Sequence, residues 1–137
     1  MDLGVKILAV ANLTVQLLLI MTVFVAAYLA KRRRAFGKHC TIMRVAMPLQ
    51  IIAIAGVMLP SMLGYIKNEQ PGALFSIEML IHHTLGVAVV ALWVYINLVF
   101  VGVIKMRHRL VVAMRLAFAL WVLTLFIGLH MYVLIWM

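Results

Sequence analysis

Acidic residues are nearly missing from this sequence, which has only three Asp and Glu in 137 residues, and charged residues of both signs make up only 11% of it. Soluble globular domains carry about 25% charged residues, so that class is excluded. With Asp2, Glu69 and Glu78 as the acids, and no Ser/His/Asp set, hydrolytic enzyme chemistry is not expected. The single cysteine, Cys40, permits no internal disulfide, and the lack of a C-x-x-C-H motif excludes covalently attached c-type haem. Neither H-E-x-x-H nor paired C-x-x-C occurs, so no fixed metal motif is present. Internal repeats, sustained heptads and low-complexity linkers are also lacking.

What is present is apolar: 68% of the residues are hydrophobic. Residues 5–30, 41–66, 73–104 and 110–136 form stretches that each exceed the roughly 20 residues needed to cross a hydrocarbon core. The connections are short and leave no room for a water-side domain. In lipid the backbone must satisfy its own hydrogen bonds, so these stretches predict an all-α integral membrane protein. The expected architecture is four transmembrane helices in an up-down-up-down bundle, with residues 1–137 as one domain. The first stretch is too long for a signal-peptide core, and its basic cluster follows it, so it reads as a retained helix. Pro48 and Pro60 fall inside the second stretch, where each removes a ladder hydrogen bond, and Pro71-Gly72 marks a turn.

Twelve Lys and Arg give a formal charge of +9. All but Lys6 and Lys67 lie around the first connection (Lys31, Arg32, Arg33, Arg34, Lys38, Arg44) or the third (Lys105, Arg107, Arg109, Arg115). The positive-inside rule then places both termini outside, in a multi-pass protein of the cell membrane. The inner face can also attract anionic lipid. Nucleic-acid binding is not expected, because the positives are split between short loops without an aromatic stacking platform.

Ionisable residues inside a span are costly, on the order of 2.5 to 3.5 kcal/mol at the helix centre, and so are informative. Counted from the cytoplasmic ends of their stretches, His83 and His130 both stand roughly 30 Å up, and Asn12 and Met58 come to roughly 25 to 27 Å. Along the third helix Glu78 and His82 are four apart, as are Met79 and His83, and His82 and Gly86. A carboxylate, an imidazole and a position without a side chain therefore stack on one face. Gly86 beside an axial histidine would leave room for a flat macrocycle. Candidate ligands of haem or a metal at this outer layer are His82, His83 and His130, with Glu78 as a further metal ligand or an orienting carboxylate. A copper ion chelated directly suits neighbouring helices, roughly 8 to 10 Å apart, whereas haem between two histidines needs a wider span. An inner layer of His39, Cys40 and His108, with Arg44 and Arg115 about a turn away, is a second candidate, able to hold propionates or phosphates. The bland alternatives are solvated interfacial histidines, methionine as apolar filler rather than Cu(I) ligand, and Asn12, Gln16, Gln50 and Asn97 as interhelical hydrogen-bonding residues.

Asn12, the run Lys38-His39-Cys40 with Met43 one turn on, Leu59-Pro60-Ser61, His82-His83 with Gly86, and Gly128-x-His130 together resemble the small four-helix membrane domain-of-unknown-function family that includes CtaM/YozB-type cytochrome oxidase assembly proteins. The resemblance spans the chain. It implies a role in maturation of haem-copper terminal oxidases, and points to His39, His82 or His83, and His130 as the functional histidines, with His108 less clearly matched. The expectation is thus a protein binding b-type haem, or copper, that serves oxidase maturation or membrane electron transfer. Its partners would be the lipid bilayer and a terminal oxidase or other respiratory complex, and a homodimer is compatible. The competing expectations are a small proton-coupled transporter with Glu78 as coupling residue, and a structural subunit of a respiratory complex.

Overall fold

The structure, a computed structural model, describes residues 3–60, 63, 73–105 and 109–136. They form α1 (Leu3–Arg33), α2 (Phe36–Ala53, continued through a wide turn over Ile54–Met58), α3 (Ala73–Val101) and α4 (Leu110–Trp136). No strand occurs among the described residues. Among the described residues four helices are long and apolar enough to cross a membrane: Val10–Arg33, Phe36–Met58, Leu74–Val101 and Leu110–Leu134. Between 17% and 28% of the most apolar 18-residue window of each is buried, and many large apolar side chains are exposed on the chain, among them Leu18, Met21, Phe24, Leu80, Val87 and Phe126. A surface of that kind requires an apolar surrounding. Asp2, Ser61, Lys67, Glu69, Pro71, Gly72, Arg107 and His108 lie outside the described residues, as does the side chain of Lys6.

The chain divides into two compact units, Met1–Asn68 and Glu69–Met137. Each is an antiparallel helical hairpin. In the first, α1 continues through Lys31, Arg32 and Arg33, and α2 already begins at Phe36, so the connection anticipated over residues 31–40 shrinks to Arg34 and Ala35. The apolar stretch ends where charge begins, but the helix does not. Lysine and arginine are good helix formers, and in the last turn of α1 they also complement the negative end of the helix dipole. Arg34 makes the reversal with φ +51°, in the left-handed region, and the Ala35 N–H bonds back to the Leu29 carbonyl at 3.1 Å. For a residue bearing a Cβ this conformation costs on the order of 1 to 2 kcal/mol.

α2 carries Pro48 in its interior, which cannot donate to the Arg44 carbonyl. Ahead of Pro60 the ladder widens, with the Leu59 N–H bonding the Ile54 carbonyl five residues back. Between α1 and α2, Gln50 Nε2 donates to Gln16 Oε1 at 2.6 Å, as an interhelical reading of these amides anticipates. Asn97, by contrast, donates to the Trp93 carbonyl of its own helix. Gln50 is 3% exposed, and its Oε1 has no hydrogen-bond partner among the described residues. Gln16→Leu would strand the whole Gln50 amide in an apolar setting. The expected loss is about 1 kcal/mol in detergent unfolding, recovered in the Gln16→Leu/Gln50→Leu double variant because the buried polar group is then gone.

In the second hairpin α3 ends at Val101, and Gly102 supplies the left-handed residue (φ +86°) that closes it. Its N–H bonds the Val99 carbonyl, and the Val103 N–H bonds the Leu98 carbonyl. Trp93 of α3 and Trp121 of α4 meet edge to face with ring centroids 5.2 Å apart, and Val89, Ile96, Ala113 and Ala117 are buried with them. This packing sets the register that brings the start of α3 level with the end of α4.

Candidate histidine site

That register places Glu78 and His82 of α3 beside Thr124, Gly128 and His130 of α4, with His83 next along α3. Glu78 Oε2 lies 3.0 Å from His130 Nδ1. Both residues are four positions inside the ends of their apolar segments, about 6 Å in from Leu74 and Leu134. The pair borders an open, mainly apolar groove of about 300 Å³ whose other walls are Ile81, Phe126 and Ile127. His130 is exposed (59%) and Glu78 half-buried. Sequence spacing stacks Glu78 under His82 on one helix face, but the carboxylate is taken by His130 of the opposite helix.

His82 turns to α4 instead. Its Nδ1–H donates to the Thr124 carbonyl at 3.0 Å. The ring lies against the backbone of Gly128, where a Cβ would come within 2.8 Å of His82 Cε1 and 3.7 Å of Nε2. Gly128 is thus the residue that admits the imidazole between the helices. Gly86, where sequence spacing leaves room for a flat macrocycle, is buried on α3. The signal available for Gly128 was its place two residues before His130, read only as part of a family pattern.

His83 donates its Nδ1–H to the Met79 carbonyl one turn back, at 2.7 Å, the spacing of four noted in the sequence. Its Nε2 is buried and has no hydrogen-bond partner among the described residues. The two adjacent imidazoles meet edge to face at 5.6 Å between centroids. On the first hairpin, His39 of α2 donates Nδ1–H to the Ala26 carbonyl of α1 at 3.0 Å. Cys40 is half-buried, and Arg44 and Arg115 are exposed. His108 lies outside the described residues, so the His39 and His108 layer has one described member.

A common chemistry links these rings. A carbonyl oxygen can only accept, so Nδ1 of His39, His82 and His83 carries the hydrogen and Nε2 of the neutral ring carries the lone pair. His130, with its Nδ1 on a carboxylate, falls into the same arrangement. This is the tautomer in which a histidine ligates iron or copper through Nε2 while an oxygen acceptor orients the ring. The four rings differ in what surrounds Nε2. That of His82 is on the ring seated against Gly128, that of His130 is on an exposed side chain, and that of His83 is buried and has no partner among the described residues. Among the described residues no group of three or more His, Cys, Asp or Glu is placed to hold a metal ion. A single ion held by His82, His83, His130 and Glu78 together thus has no such cluster behind it among the described residues, and Glu78 faces His130.

The chain matches no family of known proteins, no curated protein and no solved structure.

Proposed function

We propose that this is a multi-pass membrane protein that holds b-type haem through His83, with His130 as the second candidate ligand, and serves haem-copper oxidase maturation or membrane electron transfer. The observation that carries the reading is the His83 Nε2, a buried lone-pair nitrogen without a partner on a ring already oriented by the Met79 carbonyl. Buried polar atoms are nearly always satisfied, and an axial bond would satisfy this one. A single axial histidine needs no three-residue cluster, which favours haem over a chelated copper ion. Bound haem would supply one-electron chemistry. The residues of the chain orient the ligand nitrogens, Met79 for His83 and Glu78 for His130, and Gly128 with Thr124 fixes His82 as the positioning residue between the helices. The positive-inside rule, applied to the basic residues around the first and third connections of the sequence, supports both termini outside as part of this reading. The oxidase-maturation role rests on the family resemblance of the sequence.

The test is the absorption spectrum of detergent-purified protein, air-oxidised and then reduced with dithionite, with metal analysis of the same sample. A Soret band that sharpens on reduction, an α band and about one iron per chain are expected. A colourless protein with stoichiometric copper would overturn haem in favour of copper, and a colourless, metal-free protein would overturn both.

One observation favours a second reading. The Glu78–His130 pair, beside an open groove and inside an apolar segment, is a titratable couple of the kind a proton-coupled transporter uses. On that reading the purified protein is colourless, and pH-driven uptake into proteoliposomes is lost in Glu78→Gln.

A further inference from the structure

Between Asp2 and Glu69 the sequence holds no acidic residue at all. The α1–α2 turn nevertheless carries Lys31, Arg32, Arg33, Arg34 and Lys38, all exposed, within one reversal of the chain, and exposed Arg44 follows two turns into α2. Side chains on a helix lean toward its N-terminus, so Arg44, about 12 Å along α2, leans back in the direction of the turn. No carboxylate lies among the described residues of the first hairpin to pair with these six cations. Tyr28 and Phe36 flank the turn and are 52% and 62% exposed, the aromatic edge usual at a membrane–water boundary.

The turn itself carries a second, independent signal. Its backbone reverses through a left-handed residue, the conformation for which glycine is suited, and the residue there is Arg34 with φ +51°. The other positive-φ position described, at the end of α3, does have glycine, Gly102. Strain retained at a position where glycine would relieve it points to a use for the side chain. No acidic side chain among the described residues of the hairpin can be that use, and the carbonyl end of α1 is already complemented by Lys31, Arg32 and Arg33.

We infer that the α1–α2 turn binds the headgroups of anionic phospholipids, with Arg34 and its neighbouring cations contacting the phosphate oxygens. Each cation near an anionic headgroup surface is worth about fivefold in affinity, comparable to the strain at Arg34, so retaining arginine there costs little on balance. This inference is independent of the haem reading and concerns a different hairpin.

The test uses the full-length detergent-purified protein titrated with phosphatidylglycerol or phosphatidylcholine and read by thermal unfolding and by native mass spectrometry. Phosphatidylglycerol is expected to bind at least about tenfold more tightly than phosphatidylcholine at low salt, with the preference falling as ionic strength rises. Arg34→Gly should weaken that binding about fivefold while leaving the melting temperature of lipid-free protein unchanged or higher, since the substitution also removes the strain. Arg33→Gln/Arg34→Gln/Lys38→Gln should abolish the preference. Equal affinity for the two lipids would overturn the inference, as would full retention of the preference in Arg34→Gly. Competition by inorganic phosphate at the same concentration would also overturn it, because the site would then be one for a free anion. The purified protein has no topology left to change, so these outcomes separate lipid binding from the positive-inside signal.

Discussion

His83→Ala is expected to lower haem bound per chain by at least tenfold, the largest functional effect of any single substitution in the protein. The surroundings of His83, rather than its residue type, set it apart from the other histidines. Loss of a residue that merely orients a ligating histidine typically costs 10 to 100-fold in affinity, and removal of the ligand nitrogen itself should cost no less. His83 offers its Nε2 from a buried position, held by the 2.7 Å bond to the Met79 carbonyl, so the variant also leaves a gap at the ligand position. His82→Ala makes the contrasting case. Its ring spans α3 and α4, from the Thr124 carbonyl to the face of Gly128, so its removal should loosen the hairpin while leaving the haem stoichiometry of the folded fraction near that of the parent. The measurement is the pyridine haemochrome content of monodisperse protein, with thermal unfolding of the same samples. Equal haem content in His83→Ala and parent would remove His83 as the axial ligand. If His130→Ala were equally without effect, the haem proposal itself would be overturned.

Glu78→Gln reports on the second candidate ligand. The substitution keeps the size of the side chain but removes the carboxylate that accepts from His130 Nδ1 at 3.0 Å. If His130 is an axial ligand, a 10 to 100-fold loss of haem affinity and a changed reduction potential are expected, because the orienting acceptor also sets ligand basicity. Unchanged affinity and potential would assign the Glu78–His130 pair to a role apart from the redox group. Proton-coupled transport would then become the reading to test on it.

The sequence makes the helices legible because length and hydropathy are local properties. Four apolar stretches became four helices of spanning length, whereas the count from helix ends put His83 at the level of His130 and it is Glu78, five positions or about 7.5 Å nearer the start of α3, that meets His130. What is not local was read less well. Hydropathy ends a stretch at its first charge, so residues 31–40 looked like a connection, although Lys31 to Arg33 and Lys38 are helical and only Arg34 and Ala35 turn. Spacing of four predicts which residues share a face of one helix, but not which acceptor on the opposite helix an imidazole will find. Glu78 and His82 share the face and have different partners. The acceptor for His82 is a main-chain carbonyl, at Thr124, which no side-chain pattern announces. The room for its ring comes from the absence of a side chain at Gly128, visible only once the two helices are in register.

Gly128 therefore carries the largest expected effect on stability. A Cβ there would lie 2.8 Å from His82 Cε1 and 3.3 Å from Nδ1, closer than packed carbons approach. The ring cannot retreat without giving up the 3.0 Å bond to the Thr124 carbonyl. Gly128→Val should thus combine overpacking, about 1 to 3 kcal/mol, with a stranded imidazole N–H, about 1 to 3 kcal/mol more, and Gly128→Ala should show the smaller part of the same loss. If the contact is the cause, the cost must depend on His82. In His82→Ala, Gly128→Ala should cost close to nothing or even stabilise, because alanine is the better helix former and fills space that the ring has left. The cycle of parent, two single variants and the double variant, measured by unfolding in detergent, isolates this coupling. A strongly positive coupling identifies Gly128 as the seat of the His82 ring. Additive losses would mean that the helices approach closely at Gly128 for some other reason, and His82 would then return to the set of candidate ligands.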